Sequence, residues 1–596
     1  MTQNTISYLF SQKVKQNKDK DALFFKYDQR WQAVSWHEYG SRVDSFAKAL
    51  IAEGVKPGRK VALIGTNSLE WFIADMAIMT LGAVSVPVYQ TSSGEQIEYI
   101  LRHSESCLFI IEEMEYWRRI EPYMSNLPFV DRIILLKGNS HIGKNKIIDL
   151  ARFLKNGEKI TNDDLAEIRL KIEPDTNATF IYTSGTTGPP KAVMLSHRNC
   201  IAAGKNVHLT TQTKTRQRIT CSYLPLSHVA ERSINLFSPL FNNDTVIYFM
   251  RSYNWFAEDL KEIRPTFWAG VPRVWEKLYE GVMKFKAELS PSKRSVFEWA
   301  MNVGKEFNWR RYNNEPISVS LYLKHNLAHR LVIDKVLASL GLDRVEITVT
   351  GGAPTSREIL NFFMSIGIWL QDVYGQTEGH GTTSFCTKDH IRFGSAGKPY
   401  PLVNVHIADD GEILIKGDNV AAGYYKDPEL TEKTFVDGWL YSGDLGRFDE
   451  EGFLWITGRK KDVIITSGGK NITPSKIESY LMDNPLIEHA VVVGDGKKYV
   501  TALITIQEEN LRQSIQKSDI SSDDYGRLLE SELIKKKIES HVKEVNQKLS
   551  RVEQIKKFQI LPEPFSVEGG ELTNILKVKR NVIIRKYETR IDELYK

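Results

Sequence analysis

The order of apolar and polar positions predicts a strand–helix–strand unit early in the chain. Residues 60–64 form a short apolar run that is typical of a buried strand, and residues 83–88 form a second one. In the turn at 65–68, Asn67 is placed to cap a following helix, with Glu70 at the third helical position. The pattern therefore predicts a β-α-β unit.

The same alternation recurs further along the chain. Apolar runs at 245–250, 266–268 and 345–350 are typical of buried strands, and a helical pattern begins at Ser356. Strands that alternate with helices usually pair in parallel and are covered by those helices. We therefore expect an α/β fold whose large N-terminal domain contains two helix-covered β-sheets.

The pattern changes after about residue 400 to short strands and turns. Apolar segments at 405–407, 413–416, 439–441 and 453–457 are separated by Asp-Gly and Glu-Gly pairs, which favour turns. We expect a small distorted β-barrel over about 400–459, within an N-terminal domain that spans 1–459.

A lysine-rich turn follows Arg459, and strand and helix patterns then alternate up to a charged helical stretch at 523–548. We interpret the charges of this helix as a solvated face. These features predict a small α+β C-terminal domain over 460–596.

Composition and charge exclude several classes of protein. The 79 basic and 74 acidic residues leave a net charge of +5, which is small for 596 residues and argues against nucleic acid as a partner. Four cysteines without a CxxC pair argue against disulfides and zinc, and favour a reducing compartment.

The sequence gives no sign of a membrane span or a secretory signal. The first 20 residues lack an apolar signal region. Residues 71–89 are apolar, but they include Asp75 and change periodicity midway, so a buried helix and strand explain them better than a membrane span. We expect a cytoplasmic protein, leave open a peripheral contact with membrane, and predict no oligomeric state.

The segment YTSGTTGPPK at 182–191 concentrates hydroxyl groups and glycines. Hydroxyls and unshielded backbone N–H groups form an anion-binding concavity, and Lys191 adds a positive charge, so the loop predicts a polyphosphate site. A plain turn between strands is the alternative. The predicted phosphate-binding residues are Thr183, Ser184, Gly185, Thr186, Thr187, Gly188 and Lys191.

The loop does not fit the Walker A pattern, which needs glycine, four residues, and then Gly-Lys-Ser/Thr at the start of a helix. Lys191 instead follows Pro190 and precedes the apolar run 192–195, which predicts a strand. A different nucleotide-binding machinery is implied.

Further motifs follow this loop in a fixed order: YLPLSHVAER at 223–232, TGGAP at 350–354, VYGQTEG at 373–379, YSGDLG at 441–446 and TGRKKD at 457–462. Together they resemble the acyl-adenylate-forming, AMP-binding enzymes, which include acyl-CoA synthetases, luciferases and peptide-synthetase adenylation domains. GVPRVWEKL at 270–278 and ITSGGKNITP at 465–474 are most similar to long-chain fatty acyl-CoA synthetases, including the bubblegum-type branch. The resemblance implies an ATP-dependent, AMP-forming ligation of a fatty acid to CoA with Mg²⁺.

In such a reaction a carboxylate attacks the α-phosphate of ATP, so two anions meet and need cations and hydrogen-bond donors around them. The resemblance implies that Glu378 holds magnesium, the ion for which a carboxylate is a favoured ligand, and that Thr377 contacts the α-phosphate. It implies that His228 lies near the substrate carboxylate and is not a metal ligand.

The resemblance also implies the adenosine site. The ring of Tyr374, which precedes Gly375, would stack on adenine, and Asp444 would accept hydrogen bonds from the ribose hydroxyls with support from Arg459. The residues expected at the adenine edge, where a small backbone gives room, are Gly352, Ala353 and Pro354.

The segment ELTNILKVKR at 571–580 resembles the one that holds the adenylation lysine of the family. Lys577 is the candidate, because a compact ammonium can bridge the carboxylate and the α-phosphate. Leu576 stands where many relatives have glycine, so Lys579 remains the alternative catalytic lysine, and a solvated basic tail the alternative without function.

Lys461 corresponds by resemblance to the hinge of the family, about which the C-terminal domain would rotate between adenylation and thiol attack. The turn that would then help to admit CoA comprises Ser467, Gly468, Gly469 and Lys470. Plain solvent-exposed charge is the alternative for the basic residues of this region.

The substrate is the least determined feature. An aromatic-rich region suits a hydrocarbon, but aromatic clusters are equally typical of a core. Its members are Phe237, Phe241, Tyr248, Phe249, Trp255, Phe256 and Trp268. Two alternatives to a fatty acid–CoA ligase stay open: an acyl-AMP ligase that loads a carrier protein, and a non-catalytic protein that binds nucleotide or lipid.

Overall fold

The computed structural model describes residues 3–138, 146–183, 189–215, 217–242, 244–515, 528–529, 531–573 and 577–596. It is an α/β structure built on several mixed β-sheets. Among the described residues, no helix combines the length and the apolar character that crossing a bilayer requires.

An eight-stranded sheet forms the first core. Its strands are, in spatial order, Gly423–Tyr424, Lys191–Ser196, Asn177–Thr183, Val84–Val88, Lys60–Ile64, Leu108–Ile111, Arg132–Leu135 and Ile147–Asp149. The strands from Val84–Val88 onward pair in parallel, whereas Lys191–Ser196 pairs antiparallel with both of its neighbours. Parallel strands are buried on both faces, which explains their near-continuous apolar sequences.

The β-α-β unit predicted at the start of this sheet is present. The helix Leu69–Thr80 connects the parallel strands Lys60–Ile64 and Val84–Val88, and every residue of that helix except Glu70 is buried. The predicted cap was wrong by one residue, because the Oγ of Ser68 accepts the hydrogen bond from the N–H of Trp71 (3.3 Å).

Two further sheets carry the middle of the chain. The four-stranded sheet has the order Arg218–Ser222, Thr245–Phe249, Asp21–Tyr27 and Arg30–Ser35. The five-stranded sheet has the order Phe267–Gly270, Ile347–Gly351, Leu370–Tyr374, Ser384–Phe385 and Lys398–Pro399. The first three strands of the latter are parallel, and the helix Arg357–Ser365 follows an N-cap at Ser356.

The residues after 400 form an antiparallel β-rich unit. Its strands are Asn404–Ile407, Glu412–Lys416, Phe435–Val436, Trp439–Phe448 and Leu454–Arg459. The long strand Trp439–Phe448 pairs with Glu412–Lys416 on one side and with Leu454–Arg459 on the other. The unit packs on the five-stranded sheet, because Ile413, Leu440 and Leu454 share an apolar cluster with Phe267 and Ile347.

The last part of the chain has its own hydrophobic cores. A three-stranded sheet of Ile487–Val493, Val500–Ile506 and Ile555–Ile560 is preceded by the short hairpin Ile464–Ile465 and Asn471–Ile472. Two apolar clusters pack around this sheet, and all their residues come from position 464 onward. The residues after 463 thus bury their apolar surface mainly among themselves.

The longer helices cover these sheets. They are Ile6–Gln16, Trp36–Ala52, Leu69–Thr80, Gly94–Ser104, Asn162–Leu170, His197–Thr210, Phe256–Ile263, Pro272–Glu288, Pro291–Tyr312, Val319–Ala328, Arg357–Ser365, Pro474–Met482, Glu508–Ile515 and Glu532–Gln547. The helix predicted over 523–548 is observed over Glu532–Gln547, and residues 523–527 lie outside the described part.

Candidate active site

Asp444 is the centre of a hydrogen-bonded group at the edge of the β-rich unit. It pairs across the antiparallel ladder with Arg459, whose Nε lies 3.0 Å from its Oδ1. The hydroxyl of Tyr374 donates to its Oδ2 over 2.7 Å. Because Asp444 is only 5% exposed, these two bonds fix the direction of its carboxylate. Three residues predicted to bind the nucleotide are therefore in contact.

Tyr374 ends the strand Leu370–Tyr374, directly before Gly375. Burial, and then the charge of Asp444, raise the pKa of its phenol well above the usual value, so the hydroxyl is a donor throughout the physiological range. At Gly375 the backbone of Gly381 approaches so closely that a Cβ would lie 2.4 Å from it. This position therefore requires glycine.

Glu378 lies in the short 3₁₀ turn Thr377–Gly379, which follows that strand. The hydroxyl of Tyr424 donates to its Oε1 over 2.8 Å. The Nζ of Lys191 lies 5.7 Å from the ring centroid of Tyr424, within the range of a cation–π contact. Tyr424 thus connects the predicted metal ligand to the predicted phosphate-binding lysine.

The predicted phosphate loop joins two antiparallel strands. Thr183 ends the strand Asn177–Thr183 and is the cross-strand partner of Lys191, which begins Lys191–Ser196. The start of a strand at Lys191 agrees with the prediction that this is not a Walker loop. The predicted residues Ser184, Gly185, Thr186, Thr187 and Gly188 lie outside the described part of the chain.

His228 precedes the helical turn Val229–Glu231 and caps it, because its Nδ1 accepts a hydrogen bond from the N–H of Ala230 (3.2 Å). Burial, and then the positive charge of Lys577, lower its pKa to about 4. The ring is therefore neutral at pH 7, and its remaining proton sits on Nε2, which makes that nitrogen a hydrogen-bond donor.

Buried hydrogen bonds and an ion pair hold the segment around His228 in place. Glu231 accepts hydrogen bonds from the hydroxyl of Ser222 (2.6 Å) and the amide of Asn235 (2.8 Å), and burial raises its pKa to about 8. The fully buried Arg232 forms an ion pair with Asp75 of the helix Leu69–Thr80. These contacts fix the turn on the first core.

Lys577 comes from the C-terminal part of the chain and lies close to Arg459, Asp444 and His228. Desolvation, and then the charge of Arg459, lower the pKa of its ammonium, while Asp444 acts in the opposite direction. Its backbone is held by Thr573, whose N–H donates to the Lys577 carbonyl (2.8 Å) and whose hydroxyl accepts from the Lys577 N–H (3.0 Å). Leu576 lies outside the described residues.

The other predicted residues are less closely connected. Thr377 opens the turn of Glu378, and the predicted adenine-edge residues follow the strand Ile347–Gly351. Those residues are Gly352, Ala353 and Pro354. Lys461 lies in the exposed turn Lys460–Asp462, directly after the strand that ends at Arg459.

The predicted CoA turn is a hairpin end that is not joined to the nucleotide site. Its residues are Ser467, Gly468, Gly469 and Lys470, all of them exposed. Thr466 closes the turn by hydrogen bonds with Lys470, and Gly469 has a φ of +70°, which favours glycine. No hydrogen bond among the described residues links the turn to Tyr374, Glu378 or Asp444.

The aromatic residues considered for a hydrocarbon site do not form one wall. Phe237, Phe241 and Phe249 pack in the first core, whereas Tyr248, Phe256 and Trp268 pack in the core around the helices from Pro272 to Ile333. Trp255 is 40% exposed and stacks against Arg251. Core packing therefore accounts for most of this set.

The sequence patterns missed three residues of this region. Tyr424 binds Glu378, and no motif marked it. Glu412 accepts from the N–H of Gly443 (2.8 Å) and from Lys460 (2.7 Å), and so braces the turn before Asp444. Asp372 lies two residues before Tyr374, hence on the same face of the strand, and burial raises the pKa of its carboxyl to about 7.

Comparison with known proteins decides the family. The model of the AMP-binding enzyme matches residues 10–425, and the model of the AMP-binding enzyme C-terminal domain matches residues 461–596. The chain belongs to the AMP-binding enzyme family. The motif-based resemblance to this family is thereby confirmed.

Relatives within the AMP-binding enzyme family include long-chain-fatty-acid–CoA ligases. ACSBG2 of Xenopus laevis is 35% identical, over 99% of this chain and 84% of the relative. FadD15 of Mycobacterium bovis is 34% identical, over 95% of this chain and 92% of the relative. Both carry that ligase name.

A solved structure with the same fold is O-succinylbenzoate coenzyme A synthetase of Bacillus subtilis, in complex with ATP and a magnesium ion. The TM-score is 0.66 at 21% identity, and the match covers 96% of this chain and 98% of that one. The likeness shows the fold, and the α/β class expected for this chain is confirmed.

Proposed function

We propose that this AMP-binding enzyme is a long-chain fatty acid–CoA ligase. It activates the fatty acid with ATP to an acyl adenylate and pyrophosphate, and then transfers the acyl group to the thiol of CoA. The observation that carries the proposal is the proximity of Lys577 to Arg459, Asp444 and His228. A cation from the C-terminal part of the chain thus lies beside the proposed nucleotide-binding residues. The substrate class follows from the names of the relatives.

Asp444 is the proposed ligand of the ribose. Its carboxylate has lone pairs left after binding Tyr374 and Arg459, and these can accept hydrogen bonds from vicinal hydroxyls. Tyr374, oriented by the same bond, offers its ring face to adenine. At the proposed adenine edge the backbone leaves room for the ring, since no atom lies within 4 Å of the point where a Cβ on Gly352 would stand and Gly352 has a φ of +85°.

Glu378 fits a magnesium ion that is shared with the nucleotide. No group of three or more acidic, histidine or cysteine side chains that could hold a metal occurs among the described residues. A single carboxylate held by Tyr424 suits an ion that takes most of its remaining ligands from phosphate and water. When bound, Mg²⁺ neutralises charge on the phosphates.

Lys577 and His228 are the proposed catalytic residues, with Thr377 as the contact to the α-phosphate. The ammonium of Lys577 brings together the carboxylate and the α-phosphate and stabilises the negative charge that builds up between them. His228, neutral and protonated on Nε2, donates to the carboxylate without competing for magnesium. Thr183 and Lys191 hold the β- and γ-phosphates of the leaving group.

We place the domain boundary between Arg459 and Lys460, with Lys461 as the hinge. The last strand of the first domain ends at Arg459, and the separate apolar cores of the second begin at Ile464. A short connection between two separate cores allows rotation. The rotation would withdraw Lys577 and bring the turn Ser467–Lys470 to the site for CoA.

A panel of carboxylic acids of increasing chain length tests this function, assayed with ATP and Mg²⁺, with and without CoA. We expect pyrophosphate exchange that depends on a long-chain acid, and acyl-CoA plus AMP when CoA is added. Adenylate formation without CoA turnover would favour the loading of a carrier protein. The absence of exchange with every acid would support a non-catalytic protein.

A further inference from the structure

The helix Val319–Ala328 and the helical turn His329–Ile333 that continues it carry apolar residues on two opposite faces. Leu321, Ala328 and Ile333 are buried in the core that also contains Phe307. The other face exposes a row of apolar side chains spaced by four residues, which we name the outer stripe. It comprises Val319 (76% exposed), Leu323 (62%), Leu327 (48%) and Leu331 (42%).

A four-residue spacing places these side chains on one side of a helix. Scattered exposed leucines are ordinary on a protein surface, but a contiguous row is a feature of interaction sites. Tyr322, 54% exposed, lies beside the row and lines a groove of about 510 Å³ with Phe307, Ile317, Val319 and Arg311. The surface is therefore apolar, continuous and grooved.

The charges around the outer stripe are mostly positive. Residues 310–335 contain five basic residues and two acidic ones, Glu315 and Asp334 at the two ends of the stripe, and the basic residues between those ends are Lys324 and Arg330. Both side chains are exposed, and neither forms an ion pair with any residue that the structure describes. Arg311 adds a third cation at the groove. Long basic side chains can keep their charge in water while their stems cover apolar surface.

An apolar row with basic neighbours is the combination that binds the surface of a bilayer with anionic lipids. A second copy of this chain fits less well, because a two-fold contact centred on the stripe would bring Lys324 of one copy close to Arg330 of the other. The same cations are attracted to lipid phosphates.

We propose that the outer stripe docks this protein on an anionic membrane surface, with the apolar side chains in the interfacial region and Lys324, Arg330 and Arg311 on the lipid phosphates. This inference goes beyond the ligase chemistry. It gives the enzyme direct access to the phase in which long-chain fatty acids dissolve.

The test is sedimentation of the full chain with vesicles of phosphatidylcholine alone or mixed with phosphatidylglycerol. We expect binding to the mixed vesicles that weakens with added salt. The double variant Leu323→Ser/Leu327→Ser should bind at least about tenfold more weakly, since two apolar side chains leave the interface. Lys324→Glu/Arg330→Glu should weaken binding to the mixed vesicles by a similar factor and leave binding to pure phosphatidylcholine unchanged.

The matched control is Leu170→Ser/Leu209→Ser, which replaces two leucines of comparable exposure outside the stripe and should bind as the parent does. Equal binding by the parent and Leu323→Ser/Leu327→Ser would overturn the proposal. A parent dimer that this variant converts to monomer, with no vesicle binding by either, would also overturn it and identify the stripe as a self-association surface.

Pyrophosphate exchange with a water-soluble medium-chain acid separates this proposal from the proposed function. We expect the stripe variants to retain the parent rate in that assay, because Leu323 and Leu327 are exposed and lie outside the nucleotide site. A normal exchange rate with lost vesicle binding supports the docking surface. Vesicle binding by a chain that lacks exchange would support it while refuting the ligase.

Discussion

Asp444 and Lys577 belong to the same proposed site but are held in opposite ways. Asp444 is buried, lies in a long strand, and is fixed by Tyr374 and Arg459. Lys577 sits on a short turn closed by Thr573, in a part of the chain with its own cores. The proposed nucleotide residues are therefore preorganised by buried contacts, whereas the proposed catalytic lysine comes from a part of the chain that has its own cores.

The difference matches what the proposed two-step reaction requires. Binding residues are needed in both half-reactions and gain from a rigid arrangement, because it is ordered before the substrate arrives. A residue that serves only the first step must leave to make room for CoA. The predictions below remove one side of this comparison at a time.

Replacement of Lys577 should have the largest effect. Lys577→Ala should lower the rate of adenylate formation by about 10² to 10³-fold, the loss typical when one donor to a developing charge is removed. Pyrophosphate exchange at saturating ATP measures it. Lys579→Ala is the matched control, since Lys579 is two residues away, and it should retain most of the activity. The reverse ranking of the two variants would make Lys579 the catalytic lysine.

Replacement of Asp444 should act on nucleotide binding. Asp444→Ala should raise the KM for ATP by about 10 to 100-fold, because hydrogen bonds from the ribose to a charged acceptor are lost and Arg459 is left without its partner. Steady-state kinetics over a range of ATP concentrations test this. Asp410→Ala, which removes an exposed partner of Lys460, should leave the KM nearly unchanged.

Tyr424→Phe should raise the magnesium concentration needed for half-maximal activity by about tenfold. The reason is that the hydrogen bond that orients the proposed metal ligand Glu378 is removed while the ring remains. A magnesium titration of pyrophosphate exchange measures the shift. The neighbouring Tyr425→Phe loses a bond to Glu105 instead and should titrate as the parent does. Identical curves for the two variants would refute the role of Tyr424.

Glu231→Gln should produce the smallest effect, a change in how stability depends on pH. The carboxyl has a pKa of about 8 in the folded protein against an ordinary 4.5, so the unfolded chain releases the proton first as pH rises. Stability from this group therefore falls between about pH 4.5 and 8. Because Gln cannot ionise, the unfolding temperature of the variant should fall less between pH 5 and 8 than that of the parent. Glu429→Gln, at an exposed position, should behave as the parent.

The sequence predicted the strands and helices that follow from hydrophobic periodicity, and the family that follows from short motifs. The strand at Lys191 and the helix after Ser356 follow from local patterns, and the family follows from short segments with fixed spacing. Cap positions were less accurate. Asn67 and Ser68 both suit a helix start, and the choice depended on a distant contact, because the amide of Asn67 binds Ser222 and the carbonyl of Leu224.

Contacts between distant segments were beyond the sequence. Tyr424 reaches Glu378 only because the strand Gly423–Tyr424 pairs with Lys191–Ser196 in the eight-stranded sheet. The outer stripe is a similar case. Val319, Leu323, Leu327 and Leu331 have the spacing of a buried face, and only the packing of Leu321 and Ala328 shows that this face points outward.

The measurement that tests the central claim most directly is thioester formation by Lys577→Ala from chemically prepared long-chain acyl-AMP and CoA, followed in a single turnover. If Lys577 serves only the first half-reaction, the variant should form acyl-CoA at close to the parent rate while failing to make the adenylate from ATP. An equal loss in both half-reactions would contradict the account, because it would show that Lys577 does not leave the site between the two steps.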